Sequence, residues 1–149
     1  MPTRKITDVD VFDAIITQAI VCHIGLVDDK EPYVVPVCFD YVRNALYLHG
    51  NLKGRKAELT KKNNRVCFEM EVDLELKKAE EACDWAIKYM SVIGVGRARI
   101  LEKEEDKMYA LNLITKRYVG DELSFPSPKM DKTLVIKVDI TSITGKQLV

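Results

Sequence analysis

The chain has 149 residues, enough for one domain with its own core and too few for two of ordinary size. Apolar residues make up 47% and charged residues 31%, and no Pro, Gly or Ser-rich stretch is long enough to be a linker, so a single domain over 1–149 is expected. Lys plus Arg and Asp plus Glu both number 23; this balance argues against a dedicated nucleic-acid binder, which needs excess cations to displace counterions, but leaves room for a local cationic pocket.

The N-terminus Met1-Pro2-Thr3-Arg4-Lys5 leads into an acidic amphipathic stretch, and no run approaches the roughly 18 apolar residues that span a bilayer. A soluble, cytoplasmic protein that uses no membrane is expected. Cys22, Cys38, Cys67 and Cys83 are widely spaced with no C-x-x-C pair, which predicts buried free thiols and no metal site.

In chain order, Thr7-Asp8 precedes Val9, Phe12, Ile15, Ile16 and Ala19 at helical spacing, and predicts a helix over 8–18. The β-branched run Ile20 to Val27 reads as a strand, closed by the turn signal Asp28-Asp29-Lys30-Glu31-Pro32. Tyr33 to Asp40 and Ala45 to His49 are strand-like and pair antiparallel across Arg43-Asn44. Pro36 inside the first of them belongs at an edge or bulge, because proline cannot donate to a ladder. A turn after His49 and a short helix from about Gly54 to Lys62 follow, stopped by Asn63-Asn64.

Val66, Phe68, Met70 and Val72 alternate with other residues as in a half-buried strand, and the charged stretch 73–82 reads as a solvated connection. Strand character returns from Trp85 to Leu101, where Gly94 and Gly96 suggest a bulge or sharp bend. Met108, Leu111, Ile114 and Tyr118 predict a helix over 103–119 ended by Gly120, then an irregular loop over 124–128, then a last strand over 133–143. About six strands and three helices result. The expected fold is mainly β with flanking helices: a six-stranded antiparallel barrel, closed or split.

Strong catalytic motifs are absent: no G-x-S-x-G, no G-x-x-x-x-G-K-[ST], no H-E-x-x-H and no G-x-G-x-x-G between a strand and a helix. Gly94-Val95-Gly96 is half of a dinucleotide fingerprint, but it lacks the third glycine and has strand flanks. His23 and His49 are the two histidines. Cys22 and His23 point to opposite faces of a strand and cannot form a nucleophile–base pair, so His23 is expected to be structural. His49 instead sits where a strand gives way to a basic turn. There Gly54 allows close backbone approach, the helix N-terminus offers unpaired amides, and Lys53, Arg55 and Lys56 bring three cations together. The pattern suits a phosphate monoester; an ordinary basic first turn on a surface helix fits the spacing equally well.

Taken as a set, Tyr33-Val34-Val35-Pro36-Val37-Cys38-Phe39, Leu46-Tyr47-Leu48-His49-Gly50, Lys53-Gly54-Arg55-Lys56 and Asn64-Arg65-Val66-Cys67-Phe68-Glu69 are familiar. They resemble the FMN-binding split barrels related to pyridoxamine 5'-phosphate oxidase, especially the branch that includes the nitroimidazole-resistance proteins. Tyr89 to Gly94, Gly96-Arg97-Ala98 and Ile140 to Lys146 extend the resemblance over roughly residues 9 to 146.

The resemblance implies FMN as cofactor, with His49 and Gly50 beside the flavin and Gly54, Arg55 and Lys56, together with Lys53, on the phosphate side. It places Val34, Val35 and Pro36 along the isoalloxazine ring, and Ser91 at a polar contact to the cofactor. It also implies a homodimer with flavin at the subunit interface, where Tyr89 and Trp85 reach the cofactor or its wall, core or dimer packing being the alternative for Trp85. An FMN-dependent oxidoreductase acting on a small molecule follows, nitroreductase-like in its sharpest form, with His49 the candidate for tuning or proton transfer. The alternatives are a non-enzymatic flavin- or haem-binding protein on the same barrel, or an interaction module whose basic turn is only surface. The chain ends Thr144-Gly145-Lys146-Gln147-Leu148-Val149, without the basic and aromatic C-terminal segment of the pyridoxamine phosphate oxidases proper, so vitamin B6 oxidation is not expected.

Overall fold

The computed structural model describes residues 2–29, 31–121 and 123–148. Its first element is a strand absent from the sequence reading, β1 (Thr3–Ile6), followed by helix α1 (Val9–Gln18), whose N-cap Asp8 accepts a hydrogen bond from the Asp10 amide. Next come β2 (Cys22–Leu26), β3 (Tyr33–Val37), β4 (Phe39–Val42) and β5 (Ala45–Asn51). Helix α2 (Arg55–Lys62) leads into β6 (Arg65–Lys77), a single 3-10 turn (Ala82–Asp84) and β7 (Ala86–Ile100). Helix α3 (Glu104–Val119), a short α4 (Ser127–Met130) and β8 (Thr133–Leu148) complete the order.

All pairings are antiparallel, and the sheet runs β3-β2-β6-β7-β8-β5-β4. β8 carries β7 along one side and, on the other, β5 and then β1. The two ends of this order, β3 and β4, are joined covalently through Cys38. The sheet therefore curls back on itself, yet among the described residues no ladder closes it: β3 pairs with β2 alone and β4 with β5 alone. The result is a split barrel.

It has eight strands where six are expected. The additions have identifiable causes. β1 is short and polar, with no alternation to betray it, and the stretch expected as one strand over 33–40 breaks at Cys38 into β3 and β4. The charged segment 73–82 is less of a loop than expected, since β6 continues to Lys77 beyond an irregularity between Val72 and Glu75 where Asp73 has φ 57. β8 likewise runs past Ile143 to Leu148, and the loop over 124–128 holds the start of α4. The β4–β5 hairpin turns on Arg43 and Asn44, both at positive φ, as a two-residue type I′ connection requires.

Pro36 sits on β3, an edge strand, where its missing N–H breaks no ladder on the open side. Gly94 is fixed by packing: a Cβ there would lie 2.1 Å from the Phe68 ring, which fills the space beneath it. The irregularity expected near the paired glycines is present between Val95 and Gly96.

Two apolar clusters sandwich β5. Leu46 and Leu48 face the barrel interior with Phe39, Phe68, Met70, Leu134 and Ile136, whereas Ala45 and Tyr47 pack outward with Ala110, Leu111 and Ile114 of α3. That two-sided burial explains the continuous apolar run from Ala45 to Leu48. Arg117 of α3 ties the assembly together: its guanidinium lies over the Phe39 ring, bonds the Ile16 and Ala19 carbonyls at the end of α1, and faces Asp40. Of the four free cysteines Cys22 is buried, but Cys38, Cys67 and Cys83 are exposed, against the expectation of four buried thiols: Cys67 takes the outer side of β6, Cys38 sits at the break between β3 and β4, and Cys83 lies in the exposed 3-10 turn. No described helix is long and apolar enough to cross a membrane.

Candidate functional site

β4 reaches only as far as the pair Phe39–Leu48, so His49, Gly50 and Asn51 of β5 are paired with β8 on one side and open on the other. That open edge faces the seam. Beyond it Asn51 builds the turn itself, its side-chain oxygen accepting from the Lys53 amide at 3.0 Å and its carbonyl from the Gly54 amide at 3.0 Å. Gly54 then caps α2 without a side chain, so the first amides of α2 receive no capping acceptor from it. The helix is held to the barrel by buried Ala57, Leu59 and Thr60.

The cations of this turn behave differently. Lys53 is exposed. Arg55 bonds Asp28 Oδ2 at 3.0 Å and lies 4.8 Å above the Tyr33 ring, clamping the start of α2 to the β2–β3 hairpin. Lys56 turns inward, into the end of the barrel beside Leu48, Val66 and Ala98. It crosses directly over Gly50, where a Cβ would lie 2.7 Å from Lys56 Cε and 3.0 Å from its Nζ. Among the described residues no carboxylate pairs with this half-buried ammonium. Burial, and secondarily the Lys56 charge, hold the His49 imidazole below its ordinary pKa, which favours the neutral form near pH 7.

On β3, Val34 and Pro36 project outward and exposed, whereas the side chain of Val35 is half-buried and packs against the core. Val34 belongs to a groove of about 610 Å³ on the outer face, which also takes in Asp28, Tyr33, Arg65, Cys67 and Arg97 and so adjoins the Arg55 clamp.

His49, Gly50, Lys53, Gly54, Arg55 and Lys56 thus form one continuous feature, and Arg55 joins it to β3. The structure does not bring Ser91 and Tyr89 to it within one chain. Lys56 packs beside Ala98, and from Ala98 back to Ser91 the strand runs about 23 Å at roughly 3.3 Å per residue. Ser91 is buried between Glu71 of β6 and Lys146 of β8, and Tyr89 pairs with Leu148. Trp85 is half exposed and not in the core; its indole N–H donates to the Ala79 carbonyl at 2.8 Å and pins the 78–85 loop.

Two groupings escaped the sequence reading. One is the Asp28–Arg55–Tyr33 clamp, distant in sequence. The other is His23, which lies against Glu69 and Glu71 on the outer face; the register of β2 and β6 creates that meeting, and no local motif announces it.

An antiparallel sheet curled into a barrel with an unladdered seam defines the class of split-barrel folds. The chain belongs to the pyridoxamine 5'-phosphate oxidase family, whose family model matches residues 8–147. Among solved structures it is similar to a Bacteroides thetaiotaomicron protein provisionally assigned to 5-nitroimidazole antibiotic resistance, at 33% identity over 98% of this chain and 87% of the other, with a TM-score of 0.87. Two more distant structures share the fold. One is the flavocytochrome Anf3 from Azotobacter vinelandii (20% identity, 99% and 69% of the two chains, TM-score 0.85). The other is an FAD- and haem-binding protein from Mycobacterium smegmatis (16%, 96% and 72%, TM-score 0.84). No match is found among curated proteins.

Proposed function

We propose that this protein is an FMN-binding flavoprotein that works as a homodimer and catalyses redox chemistry on a small molecule, in the manner of a nitroreductase. One observation carries the reading: a half-buried Lys56 ammonium, drawn over Gly50 at the start of α2, with no carboxylate partner among the described residues. A partly buried cation without a counter-charge favours a bound anion. The uncapped first turn of α2 adds amides and a favourable dipole for the same anion.

The phosphate is assigned to Lys56, Arg55 and the backbone of Gly54, with Lys53 adding long-range attraction. His49 and Gly50 lie beside the ring system, and the open edge of β3 at Val34, Val35 and Pro36 offers backbone groups along it. Bound flavin supplies hydride or electron transfer. The chain's own residues orient it, shield it from water at the seam, and present at His49 a largely neutral imidazole that can accept a proton. Ser91 and Tyr89 reach the cofactor from the second subunit, since within one chain they lie too far along β7. A single phosphate-binding turn favours FMN; the FAD named for a fold neighbour is the competing flavin.

The test is direct. Purified protein should carry a yellow chromophore, or acquire one on incubation with FMN, and chromatography of the released compound should identify FMN and not FAD. Protein that stays colourless with either flavin overturns the reading, and a Soret band would turn it toward haem. Consumption of NADH or NADPH that depends on a nitroaromatic acceptor supports the enzymatic part; no acceptor-dependent rate leaves a binding protein.

A further inference from the structure

The outer face of the barrel holds a second constellation that the flavin reading does not use. β2 and β6 run antiparallel with His23 directly opposite Glu69, and Glu71 follows two residues on, so all three side chains leave the sheet on one face. His23 Nδ1 lies 3.3 Å from Glu69 Oε2 and 3.5 Å from Glu71 Oε2. One ligand atom from each of the three falls within 4.8 Å of the others.

Two of these atoms are themselves shut off from solvent. Among the described residues His23 Nδ1 and Glu71 Oε2 have no well-aligned hydrogen-bond partner, although their side chains as wholes are about one-third exposed. They turn toward one another and away from available water. Apart from His23 itself, no basic side chain among the described residues forms an ion pair with Glu69 or Glu71.

We propose that His23, Glu69 and Glu71 bind one divalent transition-metal ion of the Zn²⁺ type, through His23 Nδ1 and one oxygen of each carboxylate. The separations have the required size. Bonds of about 2.0 to 2.2 Å in a tetrahedral site place neighbouring ligand atoms roughly 3.3 to 3.5 Å apart, and the two nitrogen–oxygen distances fall there. An imidazole with two carboxylates is a mixed donor set, which suits Zn²⁺, Fe²⁺, Co²⁺ or Mn²⁺ better than the all-oxygen preference of Ca²⁺ or Mg²⁺. A divalent cation cancels the charge of the two carboxylates.

With three protein ligands the fourth position stays open, the arrangement of reactive rather than structural metal sites. That position points to the outer face beside Pro36, the register partner of His23 on the edge strand. A small anionic or hydroxylated ligand could complete the coordination there. None of the three residues lies at the α2 turn, but His23 pairs with Pro36 and Glu71 with Ser91, two residues that the flavin assignment also uses, so the metal site would border the cofactor.

Chelator-treated full-length protein should be titrated with Zn²⁺ by calorimetry and with Co²⁺ by visible absorption. The expected result is one ion per chain, with the ligand-field bands of low-coordinate Co²⁺. His23→Gln and Glu71→Gln should each weaken Zn²⁺ binding at least about tenfold, since even outer-sphere partners of ligands are worth that much. The chain has just two histidines, so imidazole NMR signals of the unsubstituted protein give a test that no folding defect can blur. Zn²⁺ should shift the His23 ring signals and leave those of His49 in place. Absence of binding, a thiolate-to-cobalt charge-transfer band from the exposed cysteines, or unchanged affinity in the His23→Gln, Glu71→Gln double variant would overturn the proposal.

Discussion

Among the described residues, Lys56 lies over Gly50 at the seam with no carboxylate to balance it, and on the outer face Glu69 and Glu71 converge on His23 with no lysine or arginine paired to them. The same sheet builds both, one at the end of β5 and the other across β2 and β6. Burial and neighbouring charge push the titrating groups of the two regions in opposite directions. Burial, with Lys56 added, lowers the pKa of His49; burial, with Glu71 added, raises that of Glu69 to about 7. Each region leaves part of its charge uncompensated, and so each is complementary to a ligand of opposite sign. What separates them is sequence distance: the cationic region is contiguous, and the anionic one exists only after strands pair.

The largest effect that bears on this comparison comes from the scaffold beneath both regions. Phe68, buried under Gly94 and flanked in sequence by Cys67 and Glu69, holds β6 against β7. Phe68→Ala should cost about 3 to 5 kcal/mol of stability, read from the urea midpoint. Weakened flavin and metal binding are expected to accompany it together. A variant that lost one and kept the other at full strength would show that the regions do not share this support.

Removing Lys56 tests the seam alone. Lys56→Ala should raise the FMN dissociation constant by roughly ten- to a hundredfold, from the loss of a charge-assisted contact of about 1.5 to 3 kcal/mol. Glu69→Gln should leave that constant unchanged. If Glu69→Gln weakened FMN as much as Lys56→Ala, the two regions would be one site. Gly50→Ala is a milder version, because its methyl group would displace the lysine stem without removing the charge. It should cost about 1 kcal/mol of FMN affinity, and an unchanged affinity would show that Lys56 need not cross Gly50 to bind.

These contrasts also explain what the sequence disclosed. The segment from His49 to Lys56 was readable because a strand end, a turn and a helix start follow one another, and helical and strand periodicity survive over those lengths. The resemblance adds the roles expected of those residues. It makes Arg55 an expected phosphate ligand, and the structure adds its clamp to Asp28 and Tyr33, which depends on a hairpin 27 residues away. From the sequence His23 reads as structural, because its neighbour Cys22 points to the opposite face, whereas its neighbours in space are set by register with β6. The six-strand expectation fell short where local signals fade: at polar β1, at the break after Val37, and past Val72 where charged residues continue a strand on an exposed arm.

The smallest effect is also the one that most directly opposes the two regions. Glu69 holds its proton more tightly in the folded chain than in the unfolded chain, with a pKa of about 7 against an ordinary 4.5. Its contribution to stability is therefore fully present below about pH 4.5 and lost as pH rises through about 7. His49 does the reverse: its folded pKa lies below the ordinary 6.5, so its contribution is present above 6.5 and lost as pH falls through the lowered value. In metal-free, flavin-free protein, urea midpoints measured across this range should therefore change slope in opposite senses in the two variants. Glu69→Gln should remove a fall in stability with rising pH, and His49→Gln should remove a rise. Parallel profiles for the wild type and both variants would mean that neither group is held out of water, and the electrostatic contrast between seam and outer face would collapse.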